Sequence, residues 1–122
     1  MLVEDQSAMR LVLVEVLTEL GHEVQAFDVG RPALEALHAG PLPDLLITDV
    51  GLPGGIDGYQ LAEAFQGFQA NAPVLLITGY DAAELPPSTR PDSRTELLSK
   101  PFDLQSFCSR VNRLLGIAPP QR

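Results

Sequence analysis

The stretch "LLITDVGLPGG" runs from Leu45 to Gly55. Leu45 to Thr48 read as a strand with no polar alternation, as expected where both faces are covered. The strand runs directly into Asp49, and a glycine-proline loop follows. A strand from the middle of a core therefore delivers a carboxylate to its own end. Asp49 in that place could cap a turn, bind a cation or act as a nucleophile, and the rest of the chain has to choose.

Working outward, "PVLLIT" (Pro73 to Thr78) is a second fully apolar strand, and "ELLS" (Glu96 to Ser99) a last one. Toward the front, "HEVQAF" (His22 to Phe27) reads as a short strand. "MLV" at the start supplies only three strand residues, so the first strand is expected to be short, as in a piece cut from a longer polypeptide. Helical spacing fills the gaps. After Ser7 as N-cap, Met9, Val12, Leu13, Val16, Leu17 and Leu20 form an apolar stripe that Gly21 ends. Pro32 stands in the first turn of a helix carrying Ala33, Leu34, Ala36 and Leu37, which Gly40-Pro41 ends. Asp57-Gly58 begins a helix with Tyr59, Leu61, Ala62, Phe65 and Phe68. A last helix starts at Asp103, buries Leu104, Phe107, Cys108, Val111 and Leu114, and stops at Gly116. Between Asp81 and Ser93, Pro86, Pro87 and Pro91 forbid a long regular helix, so a short or irregular one is expected. Strands and helices alternate, which predicts an α/β fold, a doubly wound five-stranded parallel sheet with helices on both faces. Residues 1–116 form the domain and 117–122 a tail.

Bulk properties set the class. A chain of 122 residues suits one domain, and 45% hydrophobic with 20% charged residues is an ordinary globular composition. The formal net charge is −8, from 16 acidic and 8 basic side chains, which argues against direct binding to nucleic acid or anionic lipid. The single Cys108 cannot form an internal disulfide, and no run approaches the roughly 18 apolar residues of a membrane span. A cytoplasmic setting is expected.

The polar residues then fall in one place. Glu4-Asp5 closes the first strand, Asp49 the third, Thr78 the fourth and Lys100 the fifth. Carboxyl ends of parallel strands share one edge of the sheet, the edge where open α/β folds place ligands. Three carboxylates there repel, at about 4 kcal/mol per pair for ~4 Å and an effective dielectric near 20. One lysine cannot offset that, so a divalent cation is expected, and hard oxygen ligands with room for water suit Mg²⁺. Beside such a cation Asp49 is a deprotonated nucleophile fitted to phosphoryl transfer, with Thr78 and Lys100 holding the transferred oxygens.

"VED" before a helix, "ITDVGLPGG-IDG", "LLITGY" and "LLSKPF", in that order and each at a strand end, resemble the receiver domain of bacterial two-component response regulators. The resemblance covers nearly the whole chain. It implies a flavodoxin-like fold and a phosphoryl group passed to Asp49 from a phosphohistidine on a histidine kinase or histidine phosphotransfer protein. It also implies Mg²⁺ held with help from Glu4, Asp5 and the Gly51 backbone carbonyl, with Asp5 the more direct carboxylate, and a cis Lys100-Pro101 bond. Thr78 and Lys100 would read the phosphorylated state. "LPGG" with "TGY" is most similar to receivers attached to hybrid histidine kinases. Three features depart from the common pattern. Leu97 stands where many receivers carry an aromatic switch residue, the Pro53 to Asp57 loop is one residue longer, and prolines break the segment after Tyr80. Tyr80 is expected to shield the acyl phosphate from water.

Blander readings apply to several residues. Taken singly, Asp49 is as readily a loop cap, Glu4-Asp5 a pair of helix N-terminal acids, Thr78 a strand residue and Lys100 a solvated charge. His22 and His38 fall far from the edge and read as solvated or capping, and Cys108 as core. Two other functions stay open: a phosphorylation-independent receiver-like binding module, and an aspartyl-phosphate phosphatase. The latter usually wants an acid two residues beyond the nucleophile, where this chain has Gly51. Turnover of phosphate esters separates them.

Overall fold

The computed structural model describes residues 1–79 and 94–117. The elements are β1 (Leu2–Val3), α1 (Ser7–Glu19), β2 (Ala26–Phe27), α2 (Gly30–Ala39), β3 (Leu46–Asp49), α3 (Gly58–Phe68), β4 (Val74–Thr78), β5 (Thr95–Ser99) and α4 (Leu104–Leu115). All five strands are parallel, in the order β2-β1-β3-β4-β5. This is the flavodoxin-like winding, with a reversal of direction between β1 and β3 that opens a crevice at their carboxyl ends. The expected segment between Asp81 and Ser93, Tyr80 and the end of the tail lie outside the described residues.

Both faces of the sheet are covered, which is why β3 and β4 are buried at every position. Val3, Leu46, Leu76 and Phe65 belong to the core under α2 and α3. Leu2, Ile47, Leu75, Ile77 and Phe107 belong to the core under α1 and α4. Successive strand residues thus alternate between two apolar layers.

Helix boundaries follow local chemistry. Asp57 caps α3 through a reciprocal pair, its carboxylate accepting from the Gln60 amide while the Gln60 side chain accepts from the Asp57 amide, each at 2.9 Å. Asp103 caps α4 by accepting from the Ser106 amide at 2.6 Å, and Gly116 ends it in a left-handed conformation at φ 73°. At α1 the expectation shifts by one residue. Gln6, not Ser7, is the N-cap, and it has no side-chain cap bond. Its own amide donates to Glu4 Oε2 at 3.1 Å, so the turn that ends β1 also starts the helix.

Three expectations need correction. The strand expected over His22 to Phe27 is paired only at Ala26–Phe27, because its neighbour β1 offers ladder partners at Leu2 and Val3 alone. In α1, Leu13 and Leu17 are buried, while Val12 and Leu20 lie outside the arc that meets the sheet and are 40% and 42% exposed. Leu104 and Phe68, at the first position of α4 and the last of α3, are also largely exposed. Phe68 packs edge-on against His38, with ring centroids 4.9 Å apart. Cys108 is half-buried against the α1 and α4 core, and burial raises its thiol pKa.

Candidate functional site

Backbone pairing aligns the strand ends. The Val50 amide donates to Ile77 O at 2.9 Å, the Lys100 amide to Thr78 O at 2.8 Å, and the Glu4 amide to Phe27 O at 3.0 Å. Asp49 is the ladder partner of Ile77, one residue before Thr78, and Thr78 is the partner of Ser99, one residue before Lys100. The register therefore brings residues far apart in sequence to one level of the sheet.

At that level lie Glu4, Asp5 and Asp49, whose carboxylate oxygens come within 4.8 Å of one another. Glu4 and Asp49 are buried and Asp5 is exposed. Lys100 Nζ stands 3.1 Å from both Asp49 oxygens and 3.5 Å from Glu4 Oε1. Thr78 is buried at the adjacent strand end, and Gly51 is exposed two residues beyond Asp49. Lys100-Pro101 is cis, as the resemblance implies; Gly40-Pro41 is cis as well. Leu97 is half-buried on β5 against the core under α2 and α3.

The electrostatics are unbalanced, with three carboxylates gathered around one ammonium. Burial, then the neighbouring Asp49 carboxylate, pushes the Glu4 carboxyl up to about 7. Burial pulls the Lys100 ammonium down, but Asp49 and Glu4 outweigh it and hold the pKa above the ordinary value. Glu4 Oε1 is buried, and the Lys100 ammonium facing it stands 3.5 Å away, longer than a normal hydrogen bond. A divalent cation fits this donor set. Its ligands would be hard carboxylate oxygens, one side of the cluster is open to water, and the excess charge is negative.

The sequence reading missed the residues that brace the site. Arg10 in α1 donates to the Glu4 carbonyl at 2.9 Å and holds the end of β1. A Cβ on Gly58 would lie 2.2 Å from the Asp49 carbonyl oxygen and 2.9 Å from Val50 Cα, so the start of α3 is pressed against the strand that carries Asp49. A Cβ on Gly30 would meet Ile56 O at 2.6 Å, which clamps the other side of the same loop. One signal was available. Glycine directly after a helix cap, where a better helix former would stabilise by up to about 1 kcal/mol, points to close approach.

Fold and site together define a flavodoxin-like domain with an acidic cluster at the carboxyl edge of its sheet. The family model of the response regulator receiver domain matches residues 1–112, and the chain belongs to that family. It is 34% identical over 115 residues to the response regulator receiver protein CpdR of Brucella abortus, covering 94% of each chain. It is 36% identical over 120 residues to the response regulator protein FleR of Pseudomonas aeruginosa, covering 98% of this chain but 25% of FleR. Among solved structures, a response regulator receiver protein from Sinorhizobium medicae superposes with a TM-score of 0.86 at 30% identity, covering 94% of this chain and 91% of the other. The receiver domain of the hybrid histidine kinase CckA superposes with a TM-score of 0.76 at 34% identity, covering 93% and 95%. The chain is thus similar to receivers that form nearly a whole protein and to receivers within much longer ones. Among the described residues, no helix is long and apolar enough to cross a membrane.

Proposed function

We propose that residues 1–116 act in the cytoplasm as a phosphoacceptor receiver, with Asp49 taking a phosphoryl group from a phosphohistidine of a histidine kinase or histidine phosphotransfer protein. The observation that carries this reading is the contact of Lys100 with both oxygens of a buried strand-end aspartate inside an acidic cluster. An Asp49 carboxylate oxygen attacks phosphorus, the O–P bond forms as the N–P bond breaks, and the imidazole departs with the electron pair. Lys100 neutralises oxygens that gain charge, and the Thr78 hydroxyl binds one of them. Glu4, Asp5, Asp49 and the Gly51 carbonyl would hold Mg²⁺, which when bound supplies charge neutralisation at the transferred group. Incubating the protein with acetyl phosphate and Mg²⁺, then mapping the product, tests the reading. One acid-stable, base-labile phosphoryl group in the peptide containing Asp49 is expected; a different labelled residue overturns it.

The two other acids are expected to contribute unequally to the metal. Glu4 has Oε2 bound by the Gln6 amide and Oε1 beside Lys100, whereas Asp5 faces the solvent from which a hydrated cation enters. Asp5→Ala should weaken Mg²⁺ binding about tenfold, or 1.4 kcal/mol, and Glu4→Ala should weaken it less. Fluorescence or calorimetric titration of both variants decides. Equal losses, or a larger loss at Glu4, would overturn the ranking.

The output face is expected to move little. Leu97 replaces the aromatic switch ring, and β5 is tied to α4 by several polar contacts. Arg110 donates to the Leu97 carbonyl at 2.6 Å, Arg113 Nε to Glu96 Oε2 at 2.9 Å, and Arg94 to the Leu114 carbonyl. Beryllofluoride, a phosphoryl mimic, should leave amide exchange over Leu97 and Leu104 to Leu114 nearly unchanged while protecting the loop after Asp49. A large change centred on Leu97 and α4 would show that the switch works without its ring.

A further inference from the structure

At the carboxyl edge of the sheet, β3 runs on where β1 ends. The β1 ladder pairs Leu2 with Ile47 and Val3 with Thr48, and it stops one residue short of Asp49. Successive amides of β3 face its two neighbours in turn. Leu46 donates to Pro73 O at 3.2 Å and Val50 to Ile77 O at 2.9 Å, both on the β4 side, whereas Ile47 donates to Met1 O at 2.9 Å. The Asp49 carbonyl therefore faces the β1 side, beyond the last pair of that ladder. The chain after β1 has already turned away, since the Glu4 amide donates to Phe27 O at 3.0 Å and the Gln6 amide to Glu4 Oε2 at 3.1 Å.

A buried carbonyl needs a donor. Thr48 supplies one from the preceding residue, its Oγ1 donating to the Asp49 carbonyl at 2.9 Å in a buried bond. The start of α3 is pressed against the same oxygen, since a Cβ on Gly58 would lie 2.2 Å from it. One planar peptide joins Asp49 to Val50. Thr48 holds its oxygen, and Ile77 O accepts from its N–H at 2.9 Å. That plane sets the direction in which the chain leaves the strand, between the Asp49 carboxylate and the Gly51 carbonyl.

We propose that Thr48 is a positioning residue of the Asp49 site, its hydroxyl taking the place of the ladder donor that β1 no longer offers. An apolar residue of the same shape would leave the carbonyl buried without a donor, and the peptide plane would turn to find one. Rotation there moves the Gly51 carbonyl relative to the Asp49 carboxylate, two of the ligands proposed for Mg²⁺. Groups that hold metal ligands in place govern affinity nearly as much as the ligands do. A hydroxyl is thus required at a position where a doubly covered strand otherwise favours valine or isoleucine. The effect on phosphoryl transfer rests on Asp49 being the acceptor; the effect on the backbone does not.

Two variants test this. Thr48→Val keeps the branched shape and loses the donor, whereas Thr48→Ser keeps the donor and loses a buried methyl. Amide exchange, Mg²⁺ titration and labelling by acetyl phosphate are measured on both and on wild type. Thr48→Val should speed exchange of the Val50 amide relative to the Leu46 amide of the same strand. It should also weaken Mg²⁺ binding about tenfold and slow phosphoryl incorporation by a similar factor. Thr48→Ser should stay close to wild type in all three, although its lost methyl lowers Tm. A merely structural role would act on Leu46 and Val50 alike and would rank the variants by Tm. Wild-type exchange at Val50 and wild-type Mg²⁺ affinity in Thr48→Val, or the same losses in Thr48→Ser, would overturn the proposal. A wild-type protein that takes no phosphoryl group at Asp49 overturns the acceptor reading instead, and the Val50 comparison still decides the role of Thr48.

Discussion

Asp49→Ala is expected to lose all phosphoryl incorporation from acetyl phosphate while remaining folded. The loss should be complete because, among the described residues, no other carboxylate has the same setting. Glu4 has one oxygen bound by the Gln6 amide and the other 3.5 Å from Lys100, and Asp5 is exposed to water. The fold should persist because Asp49 is a net burden without a cation. Its carboxylate repels two neighbours and attracts one lysine, and such terms are each worth up to about 4 kcal/mol at an effective dielectric near 20. In buffer with chelator, the variant should therefore match or exceed the wild-type Tm. Added Mg²⁺ should stabilise wild type by RT ln(1 + [L]/Kd), about 1.4 kcal/mol at ten times Kd, and stabilise the variant less. Labelling of the variant at the wild-type level would show that Asp49 is not the acceptor. A Tm well below wild type in chelator would show that Asp49 is structural, the role of a loop cap.

The parts of this molecule legible in the sequence are those written in a local pattern. Leu45 to Asp49 announced a doubly covered strand because apolar residues occupy both alternating positions, and the structure buries Leu46 to Asp49 throughout. Asp57 and Asp103 announced helix starts because capping is a contact between residues three apart. The site was legible for a related reason. In a parallel sheet all carboxyl ends share one edge, so locating strand ends suffices to group Glu4, Asp5, Asp49, Thr78 and Lys100. What escaped depends on approach between separate elements. The start of β2 was placed too early because its length is limited by β1, not by its own residues. The bond from Arg10 to the Glu4 carbonyl and the closeness of Gly30 to Ile56 arise from how helices seat on the sheet. No local pattern encodes them.

Gly58 shows what such a seat demands, and Gly58→Ala is expected to be the most damaging single methyl group in the protein. The new Cβ would fall 2.2 Å from the Asp49 carbonyl oxygen, 2.9 Å from its carbonyl carbon and 2.9 Å from Val50 Cα. All three are backbone atoms, so no side chain can swing aside. The strand itself is fixed, since Val50 donates to Ile77 O and Gly58 donates to Val50 O, each at 2.9 Å. Helix α3 must then lift off β3, with Leu61 and Phe65 leaving a fully buried layer. Overpacking usually costs about 1–3 kcal/mol, and a backbone clash belongs at or above the top of that range. The better helix propensity of alanine returns less than about 1 kcal/mol. A net cost near 3 kcal/mol should lower Tm by about 10–15 °C. Because the clash is with Asp49 itself, Mg²⁺ affinity and the rate of phosphoryl incorporation should fall in the surviving folded fraction. Gly51→Ala supplies the contrast. A Cβ there meets nothing within 4 Å, and Gly51 has no positive φ, so Tm should stay within about 2 °C of wild type. Thermal melts of the two variants, followed by labelling below their midpoints, separate the roles. If Gly58→Ala melts with Gly51→Ala, the close seat of α3 on the Asp49 strand does not hold the site.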